Sequence, residues 1–261
     1  MMEKVTEKFV LKVYRGTPGK QYWEEFELDV KPFYNLISAL MDIQKSPVNR
    51  QGQKVEPIAW EQGCLEEVCG SCSMLVNGKP RQACTALIQN LIEETKSRTV
   101  TVAPMSKFPL VRDLVIDRSS MFEHLKRIRG WVEVDGSFER GFGPKQDPKI
   151  QEARYVLSTC MTCGCCVEAC PQVNKNSKFM GPAAISQVRL FNSHPTGKMQ
   201  GPERLRVLMD EGGISDCGNA QNCAKVCPKN IPLTESIAVM GREVSKQALH
   251  DLISLPDAYL D

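Results

Sequence analysis

The first hundred residues alternate apolar and polar side chains over short stretches, which is the pattern of half-buried β-strands. An Asn77-Gly78 pair lies between two of these stretches and is a strong signal for a tight hairpin turn. One helix is predicted over residues 36–45, capped by Asn35 and ended before Pro47. The predicted strands cover residues 9–15, 25–30, 73–76, 79–84 and 99–102.

From residue 111 onwards the apolar positions recur at the spacing of an amphipathic helix. A helix over 111–129 would have one apolar face, made of Leu114, Val115, Met121, Phe122, Leu125 and Ile128. Residues 130–150 are rich in glycine and proline and are predicted to form a loop. Further helices are predicted over 151–159, 183–192, 202–211 and 234–253. A strand-rich first half and a helical second half indicate an α+β fold or two domains, with a boundary between residues 110 and 120.

Length and charge set limits on this picture. A chain of 261 residues fits one large domain or two small ones. The chain has 33 basic and 31 acidic residues, so its formal net charge is only +2. Nucleic acid is therefore not expected as a partner. The N-terminus shows no apolar signal-peptide core, and the longest uncharged stretch, 155–167, has 13 residues. A transmembrane helix needs roughly 20, so the chain is expected to be neither exported nor membrane-spanning.

Twelve cysteines against three histidines are the unusual feature of the composition. Disulfides would account for them in a secreted protein, but without an export signal metal ligands or reactive thiols are expected. Structural zinc sites, the alternative metal centres, use two ligand pairs about a dozen or more residues apart, often with histidine. Cysteines separated by only two or three residues favour iron–sulfur clusters instead.

The first cysteine cluster follows the pattern C-x4-C-x2-C with a distant fourth cysteine, which is the plant-type ferredoxin spacing for a 2Fe–2S cluster. Gly63, Gly70 and Ser71 are small, so the backbone is expected to wrap closely around the cluster and offer N–H groups to sulfur. The predicted ligands are Cys64, Cys69, Cys72 and Cys84.

The other cysteines form two runs of the bacterial ferredoxin type, C-x2-C-x2-C-x3-C-P, in which the fourth cysteine serves the other cluster. In the second run the expected cysteine is replaced by Ala220. Crosswise pairing therefore predicts a 4Fe–4S cluster with four thiolates and a 3Fe–4S cluster with three, while a 4Fe–4S cluster with a non-cysteine fourth ligand is the alternative. Cys165 is left over and is expected to be a small buried packing residue. The less favoured alternative is that it exchanges with one of the cluster ligands. The 4Fe–4S ligands are Cys160, Cys163, Cys166 and Cys227, and the 3Fe–4S ligands are Cys170, Cys217 and Cys223.

With these motifs the sequence resembles the iron–sulfur subunit of succinate dehydrogenase and fumarate reductase, respiratory complex II, over nearly its whole length. Two segments, 192–197 and 209–213, are similar to the menaquinone-linked Gram-positive type. Besides the two Cys-Pro runs, the resemblance is carried by the 64–72 loop, Asn77-Gly78-Lys79-Pro80, Cys84-Thr85, Phe108-Pro109-Leu110-Val111-Arg112-Asp113-Leu114 and Lys178-Phe179-Met180-Gly181-Pro182.

The resemblance implies an N-terminal plant-type ferredoxin β-grasp domain, 1–115, and a C-terminal all-α helical ferredoxin-like domain, 116–261. It also implies a flavoprotein partner with FAD and a membrane anchor with cytochrome b and a quinone site. Electrons would pass from FAD through the 2Fe–2S, 4Fe–4S and 3Fe–4S clusters to quinone. The chain would lie peripherally on the cytoplasmic face of the cell membrane and supply no catalytic acid, base or nucleophile.

Two comparisons with the family refine these expectations. Many ubiquinone-linked members have a tryptophan shortly after the first Cys-Pro, whereas residues 172–175 contain none. A ubiquinone site next to the 3Fe–4S cluster is therefore not expected, and the alternatives are a different quinone, with menaquinone indicated by the Gram-positive-type segments, or a site in the anchor. Some bacterial members replace the third 2Fe–2S ligand by aspartate, but Cys72 is present here. The sequence leaves open whether succinate is oxidised or fumarate reduced. Other classes, less favoured, are a soluble multi-cluster carrier and a zinc-binding module, and His124, His194 and His250 are not predicted ligands.

Overall fold

The computed structural model describes residues 7–133 and 145–254, which fall into two compact units. The first unit consists of the residues up to Arg118 together with Met161–Glu168. The second consists of Ser119–Cys160 and the residues from Ala169 onwards. The segment Met161–Glu168 therefore belongs with the first unit, although it follows part of the second in the sequence.

The secondary structure changes from strands to helices along the chain. The strands are β1 (Lys8–Thr17), β2 (Lys20–Asp29), β3 (Ser73–Val76), β4 (Lys79–Gln82), β5 (Thr99–Ala103), β6 (Leu110–Arg112) and β7 (Val115–Ile116). The helices are α1 (Leu36–Lys45), α2 (Ile88–Thr95), α3 (Ser119–Arg127), α4 (Pro148–Ser158), α5 (Cys165–Glu168), α6 (Pro182–Ser193), α7 (Gly201–Met209), α8 (Asn222–Lys225) and α9 (Leu233–Ile253).

The first unit is organised around a five-stranded mixed sheet with the order β2-β1-β5-β3-β4. The central strands β1 and β5 run parallel, and the remaining pairs are antiparallel. Helix α1 begins where Asn35 Oδ1 accepts a hydrogen bond from Ser38 N–H at 2.8 Å. Its buried side chains, among them Leu36 and Leu40, share one apolar core with Leu11 and other inward-facing residues of the sheet. The alternating pattern and the cap thus produce the predicted sheet and helix, including the hairpin at Asn77-Gly78.

The predicted helix over 111–129 is wrong in its first half. Residues 110–116 form the β6–β7 hairpin, and α3 begins only at Ser119. The cause is tertiary: Asp113 N–H bonds to Gly16 O at 2.8 Å, and Leu114 N–H bonds to Ala59 O at 3.1 Å. Asp113 also has a left-handed backbone, with φ of 49°, which a helix does not allow. Helix α2 was not predicted from the sequence at all.

The second unit is helical within the described residues, and α6, α7 and α9 enclose its core. The helices begin close to the predicted positions, but α4 starts at Pro148 because Asp147 caps it through Lys149 N–H at 2.8 Å. The end of the predicted loop 130–150 is therefore helical, while residues 134–144 of that loop lie outside the described part. Among the described residues, no helix combines the length and apolar character needed to cross a membrane.

Arg204 is a charged residue in the core of the second unit, where it is fully buried. Burial lowers its pKa, yet its guanidinium is satisfied by five acceptors. The guanidinium group is planar and has several N–H donors in fixed directions, so it can bond to several surrounding oxygen acceptors. Without these partners, burial of its charge would be costly. The acceptors are Arg129 O, Asn192 Oδ1, Gly197 O, Trp131 O and Gln200 Oε1, at 2.6–3.1 Å.

Candidate iron–sulfur sites

The first cysteine loop directs backbone N–H groups at two sulfur atoms. Cys64 Sγ and Cys69 Sγ each accept two such bonds, with N···S distances of 3.3–3.5 Å. The N–H dipoles place partial positive charge next to sulfur, which stabilises thiolates and the electron-rich cluster that they would bind. The donors are Glu66 and Val68 towards Cys64, and Cys64 and Ser71 towards Cys69.

Left-handed residues give this loop its shape. Leu65, Glu67 and Gly70 have φ values of 62°, 59° and 75°. A non-glycine residue in this conformation costs about 1–3 kcal/mol, so the surrounding structure must impose it. At Gly63 an added Cβ would lie 3.0 Å from Cys69 Sγ, so a side chain there would press on the sulfur. Gly63 and Ser71, two of the small residues predicted to let the backbone wrap closely, thus lie beside Cys69 Sγ, and the loop fits a bound cluster.

The four predicted 2Fe–2S ligands come together in two environments. Cys72 and Cys84 are buried, Cys64 is half-buried and Cys69 is exposed. Burial, together with a hydrogen bond to Cys72, raises the pKa of the Cys84 thiol to about 12. Hydrogen bonds from the Cys64 backbone and from Ser71 lower the pKa of Cys69 to about 6. The site therefore has one solvent-facing edge and one edge covered by the core.

The predicted 4Fe–4S ligands are distributed over both units. Cys163 and Cys166 belong to the first unit and are 9% and 8% exposed. A hydrogen bond from the Cys165 thiol, aided by nearby backbone N–H groups, lowers the pKa of Cys163 to about 7 despite burial. Cys160 and Cys227 belong to the second unit, where Cys227 Sγ accepts Ile231 N–H at 3.4 Å. Within each unit, N–H groups again point at cysteine sulfur.

The three predicted 3Fe–4S ligands lie together in the second unit. Cys170, Cys217 and Cys223 line one pocket. Burial raises the pKa of Cys223, and the neighbouring Cys170 and Cys217 raise it further. Ala220 lines the same pocket, at the position where a regular ferredoxin run has its cysteine. Three thiols and one alanine are thus what this pocket presents to a cluster.

Comparison with known proteins identifies the family. A profile described as "2Fe-2S iron-sulfur cluster binding domain" matches residues 10–123, and one described as "4Fe-4S dicluster domain" matches residues 156–231. The succinate dehydrogenase iron-sulfur subunit of Bacillus subtilis is 52% identical over 251 residues, which cover 96% of this chain and 97% of that protein. This chain belongs to the succinate dehydrogenase iron–sulfur subunit family. The predicted family, its electron-transfer role and its 2Fe–2S and 4Fe–4S domains are confirmed.

More distant relatives agree with this assignment. The fumarate reductase iron-sulfur subunit of Haemophilus influenzae is 32% identical over 228 residues, covering 81% of this subunit and 86% of that protein. A chain of the Mycobacterium smegmatis Sdh1 complex in the apo form has the same fold, with a TM-score of 0.79. It is 23% identical and covers 93% of this subunit and 98% of its own length. The predicted fold class, a β-grasp domain followed by a helical ferredoxin-like domain, is therefore confirmed.

A buried ion network in the first unit of this succinate dehydrogenase-type subunit was missed by sequence reasoning. Arg15 and Asp113 are 2% and 1% exposed, and Arg15 Nε lies 3.3 Å from Asp113 Oδ1. Both hold the segment before Cys64, because Arg15 donates to Glu56 O and Asp113 accepts Ala59 N–H, each at 2.8 Å. An arginine at an inward-facing position of an apolar strand was the available signal.

Glu168 is a second residue that the sequence did not single out. Its carboxylate is 8% exposed and accepts Ser106 Oγ–H at 2.6 Å, and the N–H groups of Ser106 and Lys107 at 3.0 Å. Three donors compensate for burying the charge. This contact fixes the segment that carries Cys163 and Cys166 within the first unit.

The three histidines, which are not predicted ligands, lie in different environments. His124 is half-buried in α3, and burial lowers its pKa. His194 Nδ1 accepts hydrogen bonds from two backbone N–H groups at 3.2 Å, and His250 Nδ1 lies 3.6 Å from Asp251 Oδ1. Across residues 7–133 and 145–254, no three Cys, His, Asp or Glu side chains are arranged to hold a single metal ion.

Proposed function

We propose that this subunit conducts electrons from an FAD-containing flavoprotein partner, through three iron–sulfur clusters, to menaquinone at a membrane anchor with cytochrome b. The reaction is succinate oxidation, as the name of the Bacillus subtilis relative states for that protein. The chain supplies no acid, base or nucleophile to this reaction. Its contribution is to hold the clusters and to set their potentials through hydrogen bonds, charge and burial.

The proposed ligand sets follow the spacing of the cysteines in the sequence. The first loop supports the 2Fe–2S assignment through its sulfur-directed N–H groups, and residues 1–115 are proposed to form the ferredoxin-like β-grasp domain that holds this cluster. The helical domain, 116–261, would hold the other two clusters. The ligands are Cys64, Cys69, Cys72 and Cys84 for 2Fe–2S, Cys160, Cys163, Cys166 and Cys227 for 4Fe–4S, and Cys170, Cys217 and Cys223 for 3Fe–4S.

The observation that carries the proposal is the pocket with three thiols and Ala220. A cubane cluster with only three thiolates has one iron without a protein ligand, and loss of that iron gives 3Fe–4S. Such a cluster, when oxidised, has an unpaired electron and an EPR signal, whereas an oxidised 4Fe–4S cluster is silent. The residue at position 220 therefore selects the cluster type.

The test is Ala220→Cys in the complex purified from detergent-solubilised membranes. We expect the EPR signal of the oxidised three-iron cluster to disappear and the iron content to rise by one atom per complex. Ala184→Cys is the matched control, because Ala184 is a buried alanine of α6 that does not line the pocket. Its signal should match that of the wild type. Absence of the three-iron signal in the wild type would contradict the cluster assignment.

Peripheral attachment to the cytoplasmic face of the cell membrane is part of the proposal. The flavoprotein and the anchor should co-purify with this chain, whereas isolation as a soluble monomer would contradict it. Menaquinone is proposed because segments 192–197 and 209–213 are similar to the menaquinone-linked type, and because residues 172–175 have no tryptophan next to the proposed 3Fe–4S ligand Cys170. Activity with menaquinone analogues should exceed activity with ubiquinone analogues.

The reverse reaction, fumarate reduction, is the second candidate, since the Haemophilus influenzae relative carries that name. Both directions are measured in the same purified complex, with succinate and a quinone or with fumarate and a quinol. Faster fumarate reduction than succinate oxidation under matched driving force would favour the alternative.

A further inference from the structure

Cys165 is the one cysteine of twelve that lies outside the proposed ligand sets. Its side chain is fully buried, at the start of α5 and between the proposed ligands Cys163 and Cys166. A thiol enclosed so completely next to a cluster must either pack, bind iron or form a hydrogen bond. Its contacts within the first unit distinguish between these roles.

Gln82, at the end of β4, is the partner that restricts Cys165. Its side chain is 1% exposed, and its Nε2 donates to Cys165 Sγ at 3.5 Å and to Ser73 Oγ at 2.8 Å. Cys72 Sγ lies 3.6 Å from the Oε1 atom of the same amide. One buried amide thus contacts a proposed 2Fe–2S ligand on one side and Cys165 on the other. Ser73 in turn donates to Gly70 O at 2.8 Å, so the amide is held in place.

The contact with Gln82 leaves the thiol proton of Cys165 available for a second hydrogen bond. The Gln82 amide donates to a lone pair of the Cys165 sulfur and does not use its S–H, which can therefore donate to another atom. The acceptor is Cys163 Sγ, with which Cys165 shares a side-chain hydrogen bond. The sequence of contacts therefore runs from the Gln82 amide to the Cys165 thiol and on to the Cys163 sulfur.

We propose that Cys165 is a hydrogen-bond donor to the sulfur of Cys163 that raises the reduction potential of the cluster bound there, and that Gln82 is the positioning residue that orients it. Reduction adds negative charge to the cluster and its sulfur atoms. A donor aimed at one of these atoms stabilises the reduced form more than the oxidised form. The inference rests on the proposed function, in which Cys163 is a 4Fe–4S ligand.

The experiment is a potentiometric titration of the purified complex, with the reduced 4Fe–4S cluster followed by EPR. In Cys165→Ala the S–H donor is removed, and we expect the reduction equilibrium to fall about tenfold, which is about 59 mV for one electron. Cys165→Ser keeps an O–H donor and should restore most of the shift. Gln82→Leu should shift the potential in the same direction by a smaller amount. Val167→Ala, which removes buried methyl groups from the same helix, should leave it unchanged.

Several results would overturn the inference. If Cys165→Ala and Cys165→Ser both keep the wild-type potential, the thiol only fills space. Loss of the cluster in Cys165→Ala, with Val167→Ala intact, would make Cys165 a ligand. An equal shift in Val167→Ala would attribute the effect to packing. Absence of a 4Fe–4S signal in the wild type would refute the proposed function itself, and this inference with it.

Discussion

Replacement of Asp113 by asparagine tests whether the buried ion network holds the segment that leads into the first cysteine loop. Asp113 and Arg15 side chains are 2% and 3% exposed. Asp113 Oδ1 accepts Arg15 Nε–H at 3.3 Å and Gly16 N–H at 2.8 Å, and Oδ2 accepts Ala59 N–H at 2.8 Å. Asparagine has only one oxygen, so one of these donors would face an NH₂ group. The variant also leaves the Arg15 charge with one partner fewer.

The expected loss in the free energy of unfolding depends on the partners that Arg15 keeps. Removal of one partner of a buried ion pair costs about 3–5 kcal/mol, because the other charge is left without compensation. Arg15 retains Glu24 Oε2 at 2.9 Å, so the lower end, about 3 kcal/mol, is expected. Since about 1 kcal/mol corresponds to about 2–4 °C for a chain of this size, the melting temperature should fall by roughly 10 °C.

Glu94→Gln is the matched control for this prediction. Glu94 also contacts two cations, Lys79 at 3.0 Å and Arg81 at 3.2 Å, but its side chain is 42% exposed. An exposed ion pair contributes little, so the melting temperature should barely change. Both variants are measured by circular dichroism at one scan rate and one protein concentration. Equal melting temperatures for the two variants would refute the reasoning. Because Ala59 lies five residues before Cys64, the 2Fe–2S EPR signal per protein should also fall only in Asp113→Asn.

Two further comparisons use pairs of matched residues. Gly70 and Gly78 have the same φ of +75°, but an added Cβ meets Met161 O at 2.7 Å at the first and nothing within 4 Å at the second. Gly78→Ala should therefore cost only about 1 kcal/mol of strain. Gly70→Ala should destabilise the protein more and should also lower the 2Fe–2S EPR signal. Equal losses of stability in the two variants would argue against close packing at Gly70. Burial and a hydrogen bond to a carboxylate raise the pKa of Tyr34. Its contribution to stability is full below about pH 10, the ordinary tyrosine pKa, and is lost as the pH rises further. Tyr34→Phe should thus flatten the decline of the melting temperature above about pH 10, while Tyr155→Phe, at an exposed position, should behave as wild type.

Much of the fold was predictable because its signals are local. Strict alternation and an asparagine cap are properties of neighbouring residues, and they located the main strands and α1. The hairpin over 110–116 was not predictable in this way, since its shape depends on bonds from Asp113 and Leu114 to Gly16 and Ala59. Helix α2 was missed because its local signals are weak. It has no side-chain cap, and it buries only Ile88 and Leu91 within eight residues, which is too little for a clear helical period.

The candidate sites likewise combine features that are local in the sequence with contacts that are not. Cysteine spacing is local, and it identified the residues that the structure brings together in the first loop and in the pocket with Ala220. The residues that support the cysteines come from far along the chain. Gln82 and Cys165 are 83 positions apart, and Arg15 and Asp113 are 98 apart. No periodicity in one sequence relates such positions, so these contacts become visible only in the folded chain.

The first loop shows why cysteine spacing carries information about local geometry. Four backbone N–H groups, those of Glu66, Val68, Ser71 and Cys64, donate to the sulfur atoms of Cys64 and Cys69. A main-chain donor survives replacement of its side chain, provided that the backbone keeps its left-handed turns. The residue type then matters most at the cysteines, which are the proposed ligands, and at glycines such as Gly63 and Gly70, where an added Cβ would meet neighbouring atoms at 2.7–3.0 Å.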